Sequence, residues 1–496
     1  MPRDYLELDA RGALYEQLAR ALKRAILEGR FLAGAPLPAT RTLAKTLGVS
    51  RNTVLAAYEI LCAEQLATAR GRLGTRVAQS ARPPAARPRT PVAPPSRYAA
   101  RIRKLTPPTL GSQQPPPLYD LHYGEPLSDP RLFHSWRRKL AAAALQAGPR
   151  YPEAGGYLPL RRAIAEHVAR RRGVICTEDD VLIVGGTQQA VTLAARVVLD
   201  EGDVAAIEEP HYQHLVQALT VHGARTVEVN TDDDGLLTAE LTKVHARLIC
   251  VTPSHQFPSG SILALDRRLE LLRLASRQSS WILEDDYDSE FQYEGRPLPS
   301  LRSLDLADRV IYVGSFSKSL FPSLRLGYVV CPPGLRADLC TAKRLDDLGS
   351  PAVEQAALAT FIQSGQFAKY LRRSVAELRQ RRDALLEGLR RHAGDRVEIR
   401  GAQSGVHVVV WFRHIGYSQL DRLIQLARER GVGVYPIHPH YRTRPVRPGL
   451  LVGYAGLAPA ALRTATELLG QCLDELEREA RRPLRPMARR GASGQP

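Results

Sequence analysis

The 496 residues, 44% hydrophobic and 24% charged, have the composition of an ordinary folded chain, and at roughly 100–200 residues per domain they suggest about three domains. No apolar run approaches the ~18–20 residues that span a bilayer, the N-terminus lacks an apolar leader, and six scattered cysteines without a C-x-x-C pair argue against a zinc ribbon or a disulfide scaffold; the expected compartment is the cytoplasm. The net charge of +18 is uneven: residues 1–78 carry twelve Lys/Arg against seven Asp/Glu, residues 79–118 seven against none, and the tail from Arg481 five against none. A nearly neutral body with basic ends suits contact with a polyanion, or serves solubility alone.

In chain order, Leu14, Leu18, Leu22, Ala25 and Ile26 fall at helical spacing over 13–28. Residues 41–47 predict a short helix stopped by Gly48, and Ser50 caps a third helix with Val54, Tyr58 and Leu61 on its apolar face. Residues 66–77 read as two strands around a glycine-bearing turn, completing a winged helix-turn-helix over 1–78. Eleven prolines between 83 and 117 then predict a semi-extended Pro/Arg-rich linker over 79–118. Beyond it, short β-branched runs at Val181–Val184, Val204–Ile207, Thr226–Val229, Leu248–Val251, Trp281–Leu283, Val310–Val313 and Leu326–Val330 alternate with helical stretches. That alternation predicts an α/β domain with a mainly parallel sheet. From about 338, long amphipathic helices and the runs Val406–Phe412, Val432–Tyr435 and Leu450–Tyr454 predict a smaller α+β part to 480, and 481–496 a basic flexible tail.

The first turn after Ser50 presents Arg51, Asn52 and Thr53, side chains suited to base edges and phosphates at a recognition-helix N-terminus. Arg41 at the preceding helix start, and Arg70, Arg72 and Arg76 in the wing, are placed for the DNA backbone. The stretch from Leu37 to Leu61 resembles the winged helix of GntR-type bacterial regulators, which implies a double-stranded DNA operator as partner.

A second constellation lies in the α/β part. Lys318 stands just past the strand Val310–Val313, in Ser315-Phe-Ser-Lys-Ser-Leu-Phe-Pro-Ser-Leu-Arg325. A lysine there suits a Schiff base to pyridoxal phosphate, in a partly buried, cationic setting that helps it lose its proton. Ser315, Ser317 and Arg325 suit the phosphate dianion. Asp285, closing the strand Trp281–Leu283, suits the pyridine nitrogen, and Tyr287 the phenolic oxygen. The run Gly185-Gly186-Thr187-Gln188 opens a helix after Val184, giving an anion cradle of backbone N–H groups. Tyr212 lies over the ring or in the core, and Tyr151 is a phosphate ligand or loop packing.

In this order the motifs resemble fold-type I aminotransferases over about 119–480, and their union with a GntR-like winged helix resembles the MocR subfamily of regulators. The resemblance implies pyridoxal phosphate as cofactor, a head-to-tail homodimer, and Tyr151 touching the phosphate across it. Two departures matter. Phe257, in Thr252-Pro-Ser-His-Gln-Phe-Pro-Ser-Gly260, stands where aminotransferases carry Asn, leaving the phenolic oxygen to Tyr287 or to His255 if it turns inward. Leu451 stands where they carry the Arg that grips a substrate α-carboxylate; Arg442, Arg444 and Arg447 are either substitutes or surface residues. The expected function is a transcriptional regulator whose aminotransferase-like domain senses pyridoxal phosphate or an amino-compound effector. The competing functions are an active aminotransferase with an accessory DNA-binding domain and a cofactor-free scaffold.

Overall fold

Apolar spacing and capping build the N-terminal elements. The computed structural model describes residues 6–71, 74–80, 94–105, 117–146, 148, 151–295 and 298–481, and the chain divides into two units, Met1–Pro94 and Pro95–Pro496. In the first, helices Leu14–Leu27, Thr40–Leu47 and Arg51–Ala63 precede a hairpin pairing Ala67–Ala69 with Thr75–Val77. Gly48 ends the second helix at φ 69°, a left-handed conformation that favours glycine. The Ser50 hydroxyl accepts the Thr53 N–H at 3.0 Å and so caps the third. Leu18, Leu22, Ile26, Leu43, Val54, Tyr58 and Leu61 close the core with Val77 of the wing. Leu14, expected on that apolar face, is instead 43% exposed, because it lies in the first helical turn, outside this core.

In the second unit every predicted strand of the large sheet forms. The order is Val181–Val184, Gly327–Val330, Val310–Ser315, Trp281–Asp286, Leu248–Val251, Val204–Glu209, Arg225–Asp232, Gly235–Leu236. The five strands from Val310–Ser315 to Arg225–Asp232 pair in parallel; Gly327–Val330 is antiparallel to both neighbours. Burial on both faces explains the continuous apolar runs of Val181–Val184, Leu248–Val251, Val310–Ser315 and Gly327–Val330. The parallel strands therefore deliver Asp285 and the Ser315–Lys318 segment at one sheet edge.

A second, antiparallel sheet runs Val397–Arg400, His407–Phe412, Gly449–Gly453, Tyr435–Pro436. Two corrections arise here. The strand predicted over Val432–Tyr435 is split: Val432–Gly433 pairs in parallel with Tyr119–Asp120, and only Tyr435–Pro436 joins this sheet. The stretch read as a spacer over 79–118 contains a helix, Arg97–Ile102, capped by Ser96. Arg101 bonds Glu201 at 2.5 Å and the Val221 carbonyl at 3.2 Å, fixing the helix to its unit. These residues carry no proline, so the argument for an extended chain does not reach them. The proline-rich segments at 81–93 and 106–116, and the tail beyond 481, lie outside the described residues.

Candidate cofactor and DNA-binding sites

Three consecutive acids end the strand Trp281–Asp286, and alternation sets Asp285 on the face opposite Glu284 and Asp286. Glu284 accepts the N–H groups of Leu301 and Arg302 at 2.9 and 2.8 Å. Asp286 bonds Arg172 at 2.7 Å and the Tyr312 hydroxyl at 2.5 Å. Asp285, among the described residues, has only a long hydrogen bond from the Thr187 hydroxyl, at 3.4 Å. Burial, and then the neighbouring charge of Asp286, push its carboxyl up to about 8. A buried carboxyl with no ion pair among the described residues is suited to a positively charged ring N–H, which would hold it ionised.

Lys318 is half-buried, and its Nζ donates to the Gly124 carbonyl. Burial lowers its pKa, while Asp288, Glu125 and Asp285 act in the opposite direction. Acids thus stand where cationic surroundings were expected from sequence, and desolvation is what lowers the lysine's pKa. Gly124 has φ +85°, and a Cβ there would lie 2.8 Å from Nζ. Sequence reading missed this glycine; an aromatic-Gly-Glu-Pro turn in an irregular stretch was its sole signal.

Gly186 precedes the helix Thr187–Val198 at φ 102°. A Cβ on it would meet the Arg325 guanidinium at 3.4 Å, so Arg325 and the helix N-terminus share one cradle. The predicted four-residue N–H cradle is shortened: the Gly185 N–H is spent on Gln189 Oε1 at 2.7 Å. The Gln188 side chain turns outward and donates to the His214 carbonyl at 3.3 Å. Nearby, the Ser315 hydroxyl accepts the Ser317 N–H at 3.1 Å.

Tyr212 stands edge-on to Phe257, centroids 5.6 Å apart, and burial with the nearby Asp285 charge pushes its hydroxyl up to about 12. The Tyr287 hydroxyl donates to the His255 carbonyl at 3.1 Å and lies 3.1 Å from that residue's Nδ1. His255 is buried, its Nδ1 is 2.8 Å from Asp288, and its Nε2 has no partner. Packed in its loop, His255 still reaches Tyr287. Tyr151 stays outside this group, 85% exposed.

Leu451 is fully buried in Gly449–Gly453, clustered with Val409 and Ile437 and covered by Tyr123, Phe257, Trp411 and Tyr441. The three arginines weighed as substitutes are engaged elsewhere. Arg442 pairs with Glu228. Arg444 lies 4.5 Å over the Tyr417 ring, and Arg447 meets Glu398 at 3.0 Å.

In the winged helix, Arg41, Arg51, Asn52 and Arg70 are exposed, while Thr53 Oγ1 lies 2.8 Å from Ser50 Oγ. The Arg76 guanidinium donates to the Gly34 carbonyl at 2.9 Å, where the wing strand packs beside that turn. Arg72 lies outside the described residues.

Comparison with known proteins now decides the family. Residues 14–77 match the bacterial regulatory proteins of the gntR family, and residues 116–467 match aminotransferase class I and II. The probable rhizopine catabolism regulatory protein MocR of Rhizobium meliloti is 35% identical over 97% of both chains. The chain belongs to the MocR-type regulators. The regulator TauR of Rhodobacter capsulatus is 34% identical over 92% of this MocR-type chain and 96% of its own. The pyridoxine biosynthesis regulator PdxR of Corynebacterium glutamicum is 30% identical over 90% and 93%. Among solved structures, the alpha-aminoadipate aminotransferase LysN of Thermus thermophilus, complexed with N-(5'-phosphopyridoxyl)-L-leucine, is 28% identical at TM-score 0.65, covering 73% of this chain and 93% of its own.

As a MocR-type chain the protein joins a winged helix-turn-helix to a fold-type I aminotransferase domain, and its cofactor is pyridoxal phosphate. The residues present fit that group: a buried acid with no ion pair among the described residues, a half-buried lysine, and a glycine cradle beside a guanidinium. Pyridoxal phosphate supplies a carbonyl carbon open to an amine and a ring that withdraws electrons. No helix of the described residues is long and apolar enough to cross a membrane.

Proposed function

We propose that this regulator binds its operator through Arg51, Asn52, Thr53, Arg41 and the wing, and senses pyridoxal phosphate or an amino-compound effector at Lys318. In this reading Lys318 holds the cofactor covalently, and Asp285 keeps the ring protonated. Tyr287, steadied by His255, orients the phenolic oxygen. Arg325, Gly186, Thr187, Gln188, Ser315 and Ser317 hold the phosphate, and Tyr212 flanks the ring. The protein acts in the cytoplasm as a head-to-tail homodimer, with the exposed Tyr151 reaching the partner's phosphate. The observation that carries sensing over turnover is the burial of Leu451 in an apolar cluster where transamination needs a guanidinium. Control of DNA affinity requires that the ligand bind two conformations unequally.

The absorption spectrum of the purified protein, with and without amino acids, tests this. A cofactor band that persists through an amino-acid panel supports the sensor. Conversion to the amine form of the cofactor, reversed by keto acids, would establish the competing aminotransferase. Lys318→Ala is expected to abolish the borohydride-trapped adduct, and an adduct surviving at this site would refute that role. Arg51→Ala is expected to weaken operator binding about tenfold, as loss of one good base contact does, with cofactor binding unchanged. Unaltered gel-shift affinity would exclude Arg51 from the interface.

A further inference from the structure

The effector's chemistry can be narrowed from what surrounds Lys318; this inference rests on the sensing reading above. The charges acting on Nζ are all acidic: Asp288, Glu125 and Asp285. Among the described residues, Arg325 is the guanidinium beside the Gly186 cradle, where a phosphate dianion belongs. Arg442 and Arg447 are held by carboxylates and Arg444 by a tyrosine ring.

In place of a carboxylate seat stands an aromatic wall. Tyr123, next to the glycine that receives Nζ, lies 6.0 Å from Phe257 and 5.5 Å from His440; Phe257 lies 5.1 Å from His440 and 5.6 Å from Tyr212. His440 contacts the Tyr123 hydroxyl through Nε2 at 3.1 Å. Burial takes its pKa down to about 4, so at neutral pH it offers a carboxylate no positive charge. Leu451 closes the wall from behind. A ligand carboxylate here would lose its hydration, face Asp288 and Glu125 and gain no cation from the described side chains left over by the phosphate. An ammonium group on an apolar or aromatic body meets the opposite: acids for its charge and ring faces for its carbon atoms.

We infer that the effector is a primary amine with an apolar or aromatic body and no carboxylate on its amine-bearing carbon. Its entry involves no redox change. The bond from Nζ to the cofactor's carbonyl carbon breaks, the effector nitrogen forms its own bond to that carbon, and the two protons it loses pass to Nζ.

The test uses full-length, cofactor-loaded protein and matched pairs: 2-phenylethylamine against L-phenylalanine, and butylamine against L-norvaline. Cofactor absorbance and operator affinity are both followed. Each amine is expected to shift the spectrum at a concentration at least tenfold lower than its amino acid, and to change operator affinity. Equal or better response to the amino acids overturns the inference and leaves the sensor reading intact. No response to either member, with the cofactor band present, also overturns it and leaves the cofactor itself as effector. Absence of any cofactor band overturns the sensor reading as well. Leu451→Arg is expected to reverse the preference within each pair. Because that charge enters a buried cluster, Tyr123→Leu is the second variant, expected to weaken the amines about tenfold and the amino acids little.

Discussion

Asp285 has a large effect for one carboxyl. Its pKa in the folded chain is about 8 against 3.8 for the free side chain. For an acid shifted upward, the favourable contribution is complete below pH ~4, where both states are neutral, and is lost as pH rises through the folded value. The cofactor-free protein is therefore expected to lose on the order of a few kcal/mol between pH 4 and 8 through this group. Asp285→Asn is expected to flatten that loss, raising the apo Tm at pH 8 while weakening cofactor binding. Thermal melts of both proteins with and without cofactor check the opposed signs. Gly124→Ala tests the other side of the site: its Cβ would lie 2.8 Å from Nζ at a φ that disfavours alanine. Slower cofactor capture, with an unchanged circular dichroism spectrum, is the expected outcome.

Among the elements, the helices Gln366–His392 and Pro459–Arg481 depend on a close crossing. A Cβ on Gly388 would fall 2.1 Å from Thr466 Oγ1, and one on Gly470 2.7 Å from the His392 Cβ. Gly388→Ala is expected to cost about 1–3 kcal/mol despite alanine's better helix propensity, read as a lower urea midpoint at constant slope. Elements whose causes are local were legible in the sequence. The Ser50 cap, the Gly48 stop and the doubly buried strands follow from neighbours in the chain. The helix Arg97–Ile102 was not, because its anchors Glu201 and Val221 come from distant sequence. The division of Val432–Tyr435 was hidden likewise, since Tyr119–Asp120 claims half of it. At the site, Lys318 and Asp285 could be singled out by residue type and position, and Leu451 through the resemblance to aminotransferases. The acids around Nζ, the outward Gln188 and the tied Arg76 depend on tertiary neighbours that spacing does not encode.

For the whole molecule, the core of the first unit is built from residues between Leu6 and Ala78 alone. A fragment of residues 1–80 is accordingly expected to fold, giving a helical spectrum and a cooperative melt. It should bind DNA more weakly than the full chain, which in the proposed dimer presents two winged helices. Gel shifts against an operator and its isolated half measure the difference. The larger unit carries a buried acid, Asp285, that the bound cofactor would pair, and that would couple cofactor supply to protein lifetime. A ligand that binds only the folded chain lowers the fraction that opens, and opened chains are what cellular proteases remove. Copies made when the cofactor is scarce would be cleared sooner, so the amount of regulator, and not only its DNA affinity, would follow the nutritional state of the cell.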